Sequence, residues 1–140
     1  MSNTRILYHG TTMENAITML GSSFSSIVDE TVWNCSDDDM LYMAEKDYDG
    51  EENEGLRIAA EAAQIAAAYL GSESSDLVVL KLEIPEFMFE EAYVTEDDSC
   101  DNMYGCWQIK QNDLKKSCSL GCQAEKKIGV SVIVLHNAYN

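Results

Sequence analysis

The residues best placed to do chemistry stand near the start of the chain. His9 follows the apolar run Ile6-Leu7-Tyr8, which reads as a short strand, and precedes Gly10-Thr11-Thr12. Thr11 and Glu14 have the Thr-x-x-Glu spacing of a capping box, so a helix is expected to begin there. The expectation is a strand-to-helix corner: His9 faces a ligand, and Gly10, with no Cβ, lets that ligand approach the main chain. The other histidine, His136, ends an apolar run with no acidic or nucleophilic neighbour in sequence and reads as structural.

Cys35, Cys100, Cys106, Cys118 and Cys122 are an odd count with no secretory leader ahead of them, and the expectation is five reduced thiols in a cytoplasmic protein. Cys100-x5-Cys106 and Cys118-x3-Cys122 are a weak match to a four-thiolate zinc site, because the usual C-x2-C pairs are missing. No structural metal is expected. Glu45-x-Asp47-x-Asp49-Gly50 starts like a calcium loop, yet Leu56 stands where the twelfth position requires a bidentate glutamate. It reads as part of an exposed acidic loop.

Tyr8-His9-Gly10-Thr11-Thr12, on a first strand followed by a short amphipathic helix, resembles the opening motif of the ADP-ribosyltransferases of the diphtheria-toxin and poly(ADP-ribose)-polymerase type. The strong part of the likeness covers about a dozen residues. It implies an α+β domain with a split mixed sheet, flanking helices, and NAD as substrate in the cleft. It further implies that His9, Gly10, Thr11 and Tyr42 bind NAD: the histidine on the nicotinamide-side ribose, the glycine main chain on the carboxamide, and the tyrosine ring stacked on nicotinamide. The family's third element is a glutamate, or sometimes a glutamine or aspartate, on a later strand. Gln108 lies at a suitable distance before the last strand, with Glu96, Asp98 and Glu125 as alternatives. His9, Tyr42 and Gln108 are thus the implied catalytic set, and the acceptor of ADP-ribose is an unidentified protein or small molecule. The family's Ser-Thr-Ser strand is replaced here by Asn34-Cys35-Ser36.

The whole chain limits these readings. At 140 residues it is expected to be one domain with a real core. The formal net charge of −16 argues against direct binding of duplex nucleic acid. Five of the nine cations, Lys110, Lys115, Lys116, Lys126 and Lys127, fall in one segment that only Asp113 and Glu125 oppose. No stretch approaches the roughly 20 apolar residues of a membrane span. The acidity also supports a second reading, a non-catalytic module that meets a basic protein surface.

The elements that must position the site follow from periodicity. Met13, Ala16, Ile17 and Leu20 form one helical stripe that Gly21 stops. Thr31–Cys35 reads as a strand, and Met40–Ala44 is a continuous apolar run carrying Tyr42. Leu56–Leu70 is the clearest helix, apolar over most of its circumference, so it is expected to be largely buried as scaffold. Leu77–Ile84 is the strongest strand, closed by Pro85. Residues 101–109 fit a helix or a strand. Ile128–His136, apolar on both faces, reads as an interior strand.

Overall fold

The computed structural model describes residues 4–20, 40–47, 54–70, 76–96, 106–111, 113–114 and 128–135. Nine elements follow in chain order: β1 (Thr4–Thr12), α1 (Met13–Leu20), β2 (Met40–Glu45), α2 (Glu54–Leu70), β3 (Leu77–Pro85), α3 (Phe87–Glu90), β4 (Val94–Glu96), β5 (Cys106–Lys110) and β6 (Gly129–Leu135). The strands form one six-stranded sheet in the order β4-β5-β2-β1-β3-β6. The class is α+β, as expected. A mixed sheet was expected, whereas every described pairing is antiparallel.

The first strand is longer than its apolar run. β1 continues through His9, Gly10, Thr11 and Thr12, each paired with β3 in unbroken register from Thr4↔Pro85 to Thr12↔Leu77. Two β-branched threonines suit that pleated backbone. The helix therefore starts later than the Thr11–Glu14 spacing suggests. Thr12 is the cap: its Oγ1 accepts the Asn15 main-chain N–H at 3.1 Å. His9 and Gly10 lie inside a strand, and the strand-to-helix corner is at Thr12–Met13.

One face of the sheet carries the main core, built from Leu7 on β1, Leu41 and Met43 on β2, Leu80 and Leu82 on β3, and Ile109 on β5. The alternation of the strands delivers these residues to the same side. At one end of this core the Arg5 guanidinium lies over Phe89 at 4.1 Å and Trp107 at 5.0 Å and forms an ion pair with Glu45. This braces the start of β1 against the end of β2 and against α3.

Helix α2 covers the other face, chiefly over β1 and β3. Its buried line is Gly55, Ala59, Ala63 and Ala67, each four residues on from the last. Small side chains let the helix main chain settle onto the sheet. A Cβ on Gly10 would fall on the Ala59 carbonyl group and 2.9 Å from the Ala63 nitrogen. The missing Cβ at Gly10 makes room for helix α2, on the side where a ligand was expected to approach. The expectation of a largely buried helix is corrected: Ile65 is 70% exposed, and Ala62 and Ala68 are exposed.

β3 is buried almost throughout, in keeping with its sequence. Cys106–Lys110 resolves the open choice for residues 101–109 in favour of a strand from Cys106 onward. β6 is at the end of the described sheet order, and Val134 is 45% exposed, so apolar character on both faces did not make it interior. The expected strand Thr31–Cys35 and His136 lie outside the described residues.

Candidate ligand cleft between the first two strands

β1 and β2 pair over Leu7↔Glu45 and Tyr8↔Ala44, and Lys46 N–H donates to the Ile6 carbonyl at 2.9 Å. Continued, that register would join His9 to Met43 and Gly10 to Tyr42, but those rungs are not formed. Each strand stays paired on its other side, β1 with β3 and β2 with β5. The sheet therefore forks after Tyr8, closed at the Arg5–Glu45 end and open toward Met40. Main-chain groups freed by a fork need other partners. His9 supplies one: its Nδ1 lies 2.6 Å from the Tyr42 carbonyl oxygen.

That bond sets the tautomer. A carbonyl only accepts, so Nδ1 carries the proton and donates, and Nε2 of the neutral ring is left as an acceptor. His9 has only intermediate surface exposure, and desolvation by the surrounding protein holds its pKa below the ordinary 6.5. The bond to Tyr42 acts in the opposite direction and does not prevail. At neutral pH the ring is uncharged.

The sign of the pH effect follows. Above about pH 6.5 His9 is neutral both folded and unfolded, so the protein keeps its full stability there. As pH falls below the unfolded value, the unfolded chain binds a proton that the folded chain resists, and stability is lost until the lower folded pKa is passed. Melting curves from about pH 8 to pH 5 should show wild type losing more stability than His9→Gln on acidification. Parallel losses in the two proteins would mean that His9 is not desolvated.

A cavity of about 290 Å³ opens at the fork. Tyr8, His9 and Gly10 line it from β1, Tyr42, Met43 and Ala44 from β2, Cys106 from β5, and Ile58, Ala59 and Ala62 from α2. It lies at the lower end of the roughly 300–1,000 Å³ typical of small-ligand pockets, enough for a flat ring and part of a sugar. Tyr42 is half exposed, with its ring available at the mouth. Burial, and then the charge of Asp47, raise the pKa of Tyr8, so its hydroxyl remains a neutral group that can donate.

The expected site residues separate on this geometry. His9, Gly10 and Tyr42 come together around the cavity. Gln108 is directly opposite Tyr42 in the β2–β5 register and opposite Thr95 in the β4–β5 register, so the three side chains share one face of the sheet. The Gln108 amide donates to Thr95 Oγ1 at 3.4 Å, a long bond that leaves it readily redirected. Glu96 is opposite Trp107, one residue out of phase, and so on the other face, the one to which strand alternation assigns His9 with Leu7 and Leu80. Asp98 and Glu125 lie outside the described residues. Thr11, expected to bind the ligand, is buried, its Oγ1 accepts the Asn15 side-chain amide at 2.8 Å, and it is not among the residues that line the cavity.

Three lining features were not anticipated. Helix α2, read as scaffold alone, forms a wall through Ile58, Ala59 and Ala62, and its alanine run was the available signal. Tyr8, which opens the Tyr8-His9-Gly10-Thr11-Thr12 motif but was given no ligand role, reaches the cavity from the strand that carries His9. Cys106 is disulfide-bonded, which overturns the expectation of five free thiols and removes Cys106 as a zinc thiolate. Among the described residues no group of three or more His, Cys, Asp or Glu side chains could hold a metal ion. Nor is any described helix long and apolar enough to cross a membrane.

In comparison with known proteins the chain matches no family model, no curated protein and no solved structure, so the cleft residues themselves carry the functional argument.

Proposed function

We propose that the cleft binds NAD by its nicotinamide end and that the protein is an ADP-ribosyltransferase, or an NAD-binding relative of one with reduced activity. The observation that carries this reading is the His9 ring spanning the fork onto the Tyr42 carbonyl, beside a cavity whose mouth holds the Tyr42 ring. Nicotinamide stacks on Tyr42, and His9 Nε2 accepts a hydroxyl of the adjoining ribose. Cleavage of the nicotinamide–ribose bond passes through a transition state with oxocarbenium character. Holding the ribose in one pose and the leaving group away from water lowers that barrier.

Gln108 occupies the third position, next to Tyr42 on the same face. Its amide can orient a ribose hydroxyl but can neither take a proton nor set a full negative charge beside the developing cation. Turnover is therefore slow, and Gln108→Glu should raise it. With NAD alone, nicotinamide release should be faster in Gln108→Glu than in wild type by about 10-fold or more. If NAD binds but neither protein releases nicotinamide, the transfer reading is wrong and a binding role remains.

A second reading, an acidic module that docks a basic protein without chemistry, is favoured by the exposed Ile65 on α2 and the −16 net charge. A salt-sensitive complex that forms equally well in His9→Ala and is indifferent to NAD would select it.

A further inference from the structure

We infer that Lys110 is the anion-binding residue of the cleft and receives the pyrophosphate of the dinucleotide. This rests on the cleft taking NAD by its nicotinamide end. On β5, Gln108 and Lys110 are two residues apart and so share a face, roughly 7 Å apart along the strand. That is the face of Tyr42, because Tyr42 is opposite Gln108 and Met40 is opposite Lys110. The order from the cavity outward is Cys106, Gln108, Lys110.

The direction matters because the fork is closed at one end. β1 and β2 are joined at Ile6–Tyr8 and Ala44–Lys46, and they part toward Met40. A cavity of about 290 Å³ holds a ring and part of a sugar, so the rest of a dinucleotide must leave through the open end. In NAD the pyrophosphate begins one ribose away from the nicotinamide. Lys110, exposed and two residues beyond Gln108, stands along that exit.

The other described cations are elsewhere or engaged. Arg5 is at the closed end, ion-paired with Glu45 and lying over Phe89. Lys46 is at the closed end as well. Arg57 on α2 is held by Glu54 and Glu61. Lys81 on β3 is opposite Tyr8, at the level where β1 and β2 are still joined, and so away from the open end. In a chain of net charge −16, one exposed cation at the mouth offsets a field that otherwise disfavours a phosphate-bearing ligand.

The test is calorimetric titration of the full chain with NAD and with nicotinamide riboside, which shares the ring and ribose but has no phosphate. Lys110→Ala should weaken NAD about 5-fold, the worth of one unit charge about 4 Å away in water. Lys110→Glu should weaken it further, and Lys110→Arg should bind as wild type does. Nicotinamide riboside should bind all four proteins alike. Raising the salt should shrink the difference between wild type and Lys110→Ala. If wild type binds NAD and Lys110→Glu binds it equally well, the assignment is overturned while the cleft reading stands. Equal weakening of the riboside and NAD also overturns it, since the effect then does not come from phosphate. A wild-type protein that binds neither ligand removes the cleft reading and this assignment with it.

Discussion

Replacing Gly10 with alanine is expected to lower the melting temperature by roughly 10 °C, the equivalent of about 3 kcal/mol in a domain of this size. Two effects compete at this position. In an open strand, alanine in place of glycine gains up to about 1 kcal/mol by restricting the unfolded chain. Here the added methyl group would meet the Ala59 carbonyl group and the Ala63 nitrogen, both main-chain atoms of α2. No rotamer change relieves that contact, and the whole helix must lift from β1 and β3. Crowding therefore wins. A control separates this from ordinary side-chain crowding: adding Ala59→Gly should not rescue Gly10→Ala, because the obstructing groups belong to the backbone. Full recovery in the double variant would show that the Ala59 methyl was the obstacle. Since Ala59 and Ala62 also wall the cavity, Gly10→Ala should disturb ligand binding even where the protein stays folded.

The same contact shows what the sequence made legible and what it hid. Leu77–Ile84 and the alanine-rich helix were readable because their periodicity is local and strong, and they appear as β3 and α2. The end of β1 was hidden because Thr11-x-x-Glu14 satisfies a local capping pattern. Pairing with β3 holds Thr11 and Thr12 extended, and the cap moves one residue to Thr12. Gly10 was correctly singled out as a close-approach residue, but what approaches is α2, some fifty positions away in the chain. No local pattern carries that information. β6 misled for a related reason: its apolar alternation reports what it packs against and says nothing of whether another strand flanks it.

The candidate site divides in the same way. His9, Gly10 and Tyr42 could be named from a short motif and an apolar run. The adjacency of Tyr42 and Gln108 could not, because it depends on the register of two strands more than sixty residues apart. The hydrogen bond from His9 to the Tyr42 carbonyl was equally invisible, since it exists only where the β1–β2 ladder stops. The disulfide at Cys106 opposes the inference from an odd cysteine count, which describes the average behaviour of such chains and cannot specify which two sulfurs meet.

The second large effect concerns the ligand. A molecule that binds only the folded state, supplied at 100 times its dissociation constant, adds about 2.7 kcal/mol to stability. For a chain of 140 residues that corresponds to a rise in melting temperature of roughly 9 °C. Tyr42→Phe should preserve the rise, because stacking uses the ring and Tyr42's hydroxyl is not needed for it. Tyr42→Ala should reduce it. His9→Ala should remove most of it, for two linked reasons. The ribose hydroxyl loses its acceptor, and the Tyr42 carbonyl loses the donor that holds β2 in place across the fork. Each variant needs its own cooperative melt, so that a lost shift is not mistaken for a lost fold.

The most direct measurement is therefore the melting temperature of wild type and His9→Ala, with and without millimolar NAD, at about pH 7.5, where His9 is neutral. The expected result is a clear rise for wild type and little or none for His9→Ala. An unmoved wild-type melt, or an equal rise in both proteins, would contradict the assignment of the His9–Tyr42 cleft as an NAD site.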